Sequence, residues 1–179
     1  AFAARIGAIY FHPFADPLVV AGQGTLALEV LDQLPDVDTF LIAIGGGGLI
    51  GGMGTAIRAL RPGARIIGIE PVGCPTLKAS LDAGHVVTVK TITTRVPTMT
   101  CARTDDAVFE LVRSVVDDIV LIDDAAMVEA ARWLWFELGI AADLSGAAAA
   151  AALKTGAVTV RPGEKVCALV CGAGPDGIA

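Results

Sequence analysis

The sequence predicts an α/β fold: an open, twisted, mostly parallel sheet with helices on both faces. Three observations carry that expectation. Five apolar runs of strand length recur along 179 residues, separated by segments with helical spacing. The chain is 54% hydrophobic and only 18% charged, which suits strands buried on both sides. Finally, Leu41–Ile44 empties into four consecutive glycines, Gly45–Gly48, ahead of a helix-length segment. The length suits one domain, so residues 1–179 read as a single α/β unit.

Residues 1–7, Ala-Phe-Ala-Ala-Arg-Ile-Gly, read as the last turns of a helix stopped by glycine. No start is visible, so the chain is expected to begin inside something larger. Ala8–Phe11 reads as a first strand. Thr25–Leu34 has helical spacing, with Leu28, Leu31 and Leu34 on one stripe. Phe40–Ile44 and Ile66–Ile69 are the next strands. Pro75–Ala83 begins with proline and stops before Gly84, the expected asymmetry of a helix. Lys90–Thr104, threonine-rich and without a period, reads as a long loop or irregular crossover. Asp105 caps a helix carrying Val108, Phe109, Val112 and Val116. Ile119–Ile122 is a strand, and Asp124 caps a helix to about Leu138 with Met127, Ala131, Leu134 and Leu138 as its inner face. Ser145 or Gly146 opens an alanine run ending near Lys154, and Val166–Cys171 is the last strand.

Several function classes drop out. The net charge is −6 and no Lys/Arg cluster appears, which argues against a nucleic-acid partner. Thr39–Ile57 has the length of a membrane span, but seven of its nineteen residues are glycine, so a buried strand–turn–helix fits better. No secretory signal is expected, because Ala1–Gly7 carries an arginine and no long apolar core. Cys74, Cys101, Cys167 and Cys171 form no C-x-x-C, so reduced thiols and a cytoplasmic location are expected. His12 and His85 stand alone, which disfavours a metal cluster or a histidine-based triad.

Chemistry concentrates at the glycine turn. Without Cβ atoms the turn exposes its N–H groups, and a following helix adds its own unpaired amides and the positive end of its dipole. Together these make a phosphate cradle. One reading takes Gly46, Gly48 and Gly51 as a G-x-G-x-x-G dinucleotide fingerprint, with Glu70, 24 residues after Gly46, on the ribose of NAD(P). The unit sits in mid-chain, however, and no dehydrogenase residue set follows.

A second reading uses more of the chain. His12-Pro-Phe-Ala-Asp-Pro-Leu-Val-Val-Ala-Gly-Gln-Gly-Thr25, Gly45-Gly-Gly-Gly-Leu-Ile-Gly-Gly52, Gly68-Ile-Glu-Pro71 and Cys171-Gly-Ala-Gly174 occur in that order. The series resembles the threonine/serine dehydratase branch, including serine racemases, of the fold-type II pyridoxal phosphate-dependent enzymes. The resemblance implies that the backbone of Gly45, Gly46, Gly47, Gly48 and Leu49 binds the phosphate of pyridoxal 5'-phosphate. It implies that Cys171 meets the pyridine nitrogen, where a neutral thiol leaves the nitrogen largely unprotonated and favours β-elimination over transamination. A buried strand cysteine is the alternative for Cys171.

The resemblance also implies a divalent cation on Glu70, a carbonyl four residues on (Cys74) and a carboxylate six residues on. Thr76 stands at that last position, so a hard-cation site would be underligated. The alternative is a strand-end carboxylate making local hydrogen bonds. Asp143, in Asp143-Leu-Ser-Gly-Ala147, falls where the family has the Glu of E-P-x-G-A. It is a candidate for a role near the cofactor ring or for a helix cap. Thr93–Thr104 departs from the family's A-D-G motif. Lys78, Lys90, Lys154 and Lys165 all read as surface residues, and none stands in the family's Schiff-base lysine motif.

The implied activity is a pyridoxal phosphate-dependent L-threonine/L-serine ammonia-lyase giving a 2-oxo acid and ammonia. The chain would be the C-terminal portion of a larger two-domain enzyme. It would need a missing N-terminal half or a partner chain, act on a small amino-acid substrate and form a homo-oligomer. Alone it is expected to be inactive and to bind the cofactor weakly and noncovalently at most. A non-catalytic fragment or pseudoenzyme half is the remaining alternative.

Overall fold

A computed structural model describes residues 2–178; expectations that include Ala1 or Ala179 lie outside the described residues at those two positions. The elements are α1 (Phe2–Ile6), α2 (Pro17–Gln33), β1 (Thr39–Ala43), α3 (Gly48–Leu60), β2 (Arg65–Pro71) and α4 (Thr76–Ala83). A 3₁₀ turn (Pro97–Met99), α5 (Asp106–Val115), β3 (Asp118–Ile122), α6 (Asp124–Leu138), α7 (Leu144–Lys154) and β4 (Val166–Ala168) follow.

The four strands form one parallel sheet in the order β3-β2-β1-β4. Every residue of β1 is buried, as a central strand covered on both faces requires. Its side chains alternate between two cores. Phe40, Ile42 and Ile44 face Ile50, Met53 and Ile57 of α3 and Val108 and Val112 of α5. Leu41 and Ala43 face Met127 and Leu134 of α6 and the alanines of α7. Ile42 is fully buried, and truncating it to alanine would cost about 2–5 kcal/mol. In α7 every residue from Leu144 to Ala152 is buried, and the small alanine side chains allow that.

Aspartates start the helices. Asp16, Asp105, Asp123 and Asp143 each sit in extended backbone and accept amides of the following first turn. Because β4 lies beside β1, the strand order reverses there, and the carboxyl ends of β1 and β4 reach the same edge of the sheet. In open α/β sheets the crevice outside such a reversal is where ligands bind.

Five expectations are corrected. Ala8–Phe11 is not a strand: it pairs with nothing in the sheet, and Ile9 is 81% exposed. The helix read from Thr25 starts at Pro17, capped by Asp16, so Ala21-Gly-Gln-Gly-Thr25 lies inside it. Gly24 serves packing there, since a Cβ on it would stand 3.1 Å from the Gly52 carbonyl of α3, whereas Gly22 has open space around it. The cap of α6 is Asp123, and Leu138, at the helix's last turn, is exposed and not on its inner face. Asp124 turns instead to the loop, accepting the Thr94 hydroxyl and the Arg95 amide, each at 2.7 Å. The last strand is shorter than expected, ending at Ala168, so Cys171 stands beyond it.

Candidate functional site

At the end of β1 the chain leaves the sheet through Gly45–Gly47 and enters α3 at Gly48. Gly47 has φ +99°, a left-handed conformation that a side chain would strain. The Phe14 ring lies so close to Gly46 that a Cβ there would overlap it. Among the described residues, the N–H groups of Gly45 to Leu49 donate to no protein acceptor. Half-buried or buried amides need a partner, and the N-terminus of α3 adds its dipole to theirs. A phosphate fits that requirement.

The amides line a cleft of about 450 Å³. Gly45–Leu49 line it together with Asp143, Ser145 and Cys171, and with Phe14 and Thr98. The sheet thus brings together the glycine turn and Cys171, which lie far apart in the sequence. The Cys171 thiol donates to the Ser145 carbonyl at 3.7 Å. Cys171 is an exposed residue, but desolvation of its sulfur against the cleft, with the Asp143 carboxylate adding to it, pushes the thiol pKa above its ordinary value, so it remains a neutral S–H. Asp143 accepts the Gly146 amide at 2.6 Å and the Ser145 hydroxyl at 2.7 Å. It is a helix cap that also lines the cleft.

The loop without a readable role props the cradle. Thr104, 2% exposed, donates its hydroxyl to the Gly46 carbonyl at 2.7 Å. The Thr98 carbonyl lies against Gly45. Sequence reasoning does not single out Thr98, Thr104 or Phe14 as site residues. Only Phe14 carries a signal, inside the quoted His12-Pro-Phe series.

Glu70 lies away from the cleft. It is 1% exposed, and its two oxygens accept the Leu77 and Lys78 amides at 2.8 Å each, capping α4. Burial pushes its pKa from 4.5 up to about 7, against the pull of those amides and of Thr76. It is therefore not placed to meet a ribose in the cleft. Among the described residues no group of three or more His, Cys, Asp and Glu is placed to hold a metal ion. Among them, too, no lysine lines the cleft: Lys78 pairs with Asp82, Lys165 with Asp36, and Lys154 lies over the Trp133 ring. No helix of the described residues is long and apolar enough to cross a membrane.

The profile of the family described as pyridoxal-phosphate dependent enzyme matches residues 1–172. The chain is similar to L-threonine ammonia-lyase of Geobacter sulfurreducens, 41% identical over 163 residues covering 91% of this chain and 40% of that protein. It is similar to serine racemase of Oryza sativa subsp. indica, 38% identical over 146 residues, 82% of this chain and 43% of that protein. The fold matches the crystal structure of a T.th. threonine deaminase with a TM-score of 0.87 at 33% identity, covering 96% of this chain and 64% of that one. The chain therefore spans about two-fifths of the length of these curated relatives.

Proposed function

The chain belongs to the pyridoxal-phosphate dependent enzymes, and on that premise we propose that it forms the phosphate-holding and ring-holding part of an L-threonine or L-serine ammonia-lyase. The observation that carries the reading is the cleft lined both by Gly45–Leu49, with their free amides, and by Cys171.

Bound there, pyridoxal phosphate would supply the electron-withdrawing ring that acidifies a substrate Cα–H and lets a β-hydroxyl leave. The Gly45–Leu49 amides and the α3 dipole hold the phosphate's negative charge. Cys171, kept protonated, would turn its single S–H from the Ser145 carbonyl to the ring nitrogen without giving up the proton. Asp143 fixes the start of α7, whose Ser145 carbonyl holds that S–H when no ring is bound. The Schiff-base lysine and the substrate-carboxylate loop would come from the part of the relatives' length outside this match, or from a partner chain. Exposed apolar groups, including Ile9, Phe11 and Phe136, supply surface for such contacts.

Ammonia and 2-oxo acid release from L-threonine and L-serine tests this. The protein carrying this segment at the relatives' full length should turn over, and the 179 residues alone should not. Turnover by the 179 residues alone overturns the division of labour. Silence of both favours the non-catalytic reading.

A further inference from the structure

The divalent-cation site implied at Glu70 does not fit the donors present. A hard cation asks for about six or more oxygens, from one or more carboxylates whose lone pairs are free to face it and from carbonyls and waters. Here Glu70 is the one carboxylate, and both its oxygens receive amides from the first turn of α4. A cation beside it would face the positive end of that helix, which disfavours it. Thr76, where the second carboxylate would stand, is buried and donates its hydroxyl to the Cys101 carbonyl at 2.5 Å. The Cys74 thiol reaches the same carbonyl at 3.5 Å.

We propose that this protein-only clamp, Glu70 on α4 and Thr76 on Cys101, takes the place of a divalent cation and holds the phosphate cradle in shape. Two paths lead from it to the glycine turn. Leu77, whose amide Glu70 holds, lies with its Cδ1 methyl against Gly47. Three residues beyond the tethered Cys101, Thr104 bonds the Gly46 carbonyl. Thr76 and Thr104 are positioning residues: Thr76 holds the cradle's supports and Thr104 the Gly46 carbonyl, and only the cradle's amides would touch the phosphate. The cofactor readout below rests on the proposed function, whereas the cation and amide readouts do not.

The test compares the wild-type protein with Thr76→Val, Thr76→Ser and Thr76→Asp. Three quantities are read: melting temperature in millimolar Mg²⁺, Ca²⁺, Mn²⁺ or EDTA, the ¹H–¹⁵N resonances of Gly45–Leu49, and affinity for pyridoxal phosphate. The wild type should melt at one temperature under all four conditions. T76V should shift and broaden the Gly45–Leu49 resonances and weaken cofactor binding about tenfold, the value of one lost hydrogen bond. T76S, which keeps the hydroxyl, should behave as wild type, and T76D should acquire cation-dependent melting. Stabilisation of the wild type by any of the cations, abolished in Glu70→Gln, overturns the proposal. So does a T76V protein whose cradle resonances are unmoved, or a T76S protein indistinguishable from T76V. If the wild type binds no pyridoxal phosphate, the cofactor reading fails while the cation and amide readouts still judge the clamp.

Discussion

The hydroxyl of Thr104 and the carbonyl of Gly46 meet at 2.7 Å across 58 residues of sequence. That bond fixes the direction of one peptide in a turn whose N–H groups have no protein acceptor among the described residues. It makes the loop before α5 part of the site.

Thr104→Val keeps the shape of the side chain and removes the donor, leaving the Gly46 carbonyl without it. The expected cost is about 1–2 kcal/mol, a fall in melting temperature of about 2–8 °C for a chain of this size. Thr104→Ser should lose less than half of that. Thermal denaturation of both variants checks it, and equal losses would contradict a role for the hydroxyl.

Cys171, although exposed, should alkylate slowly at neutral pH, because desolvation of its sulfur and the Asp143 carboxylate hold the thiol protonated. Removing the charge in Asp143→Asn lowers the thiol pKa and should speed iodoacetamide labelling of Cys171. Labelling followed residue by residue by mass spectrometry tests this. An unchanged or slower rate would show that the carboxylate does not act on the thiol.

Glu70 gives the pH dependence a definite sign. Its folded pKa, about 7, lies above its ordinary 4.5, so between those values the folded chain holds a proton that the unfolded chain has lost. Its contribution to stability is therefore fully present below about pH 4.5 and lost as the pH rises through 7. The difference in stability between wild type and Glu70→Gln should move against the wild type by about 3 kcal/mol over that range. Denaturant unfolding at several pH values measures it. A flat difference would remove burial as the controlling cause.

Much of this architecture is legible in the sequence because it depends on neighbours along the chain. Leu41–Ile44 followed by Gly45–Gly48 specifies strand, turn and helix start within a short stretch, and Asp105 and Gly84 mark helix ends by local hydrogen bonding. The errors share a cause as well. Ala8–Phe11 is apolar, but apolarity alone does not say whether a run is covered, and here it is exposed. The first half of α2 is masked by Gly22 and Gly24, poor helix formers, of which Gly24 is kept for close contact with α3. Thr98 and Thr104 are invisible as site residues because their value lies in contacts with Gly45 and Gly46, far away in sequence. Glu70 matches two motifs, and its actual partners, the Leu77 and Lys78 amides, belong to neither.

The central claim is that the cleft between Gly45–Leu49 and Cys171 holds pyridoxal phosphate by its phosphate. Its most direct test is equilibrium binding of pyridoxal phosphate, and of phosphate-free pyridoxal, to the 179-residue chain and to Gly46→Ala, whose Cβ would displace the Phe14 ring. The wild-type chain should bind pyridoxal phosphate and prefer it over pyridoxal, the variant should lose that preference, and borohydride should leave no cofactor on Lys78, Lys90, Lys154 or Lys165. Equal binding of the two ligands by the wild type, or cofactor fixed to one of those lysines, would contradict the account.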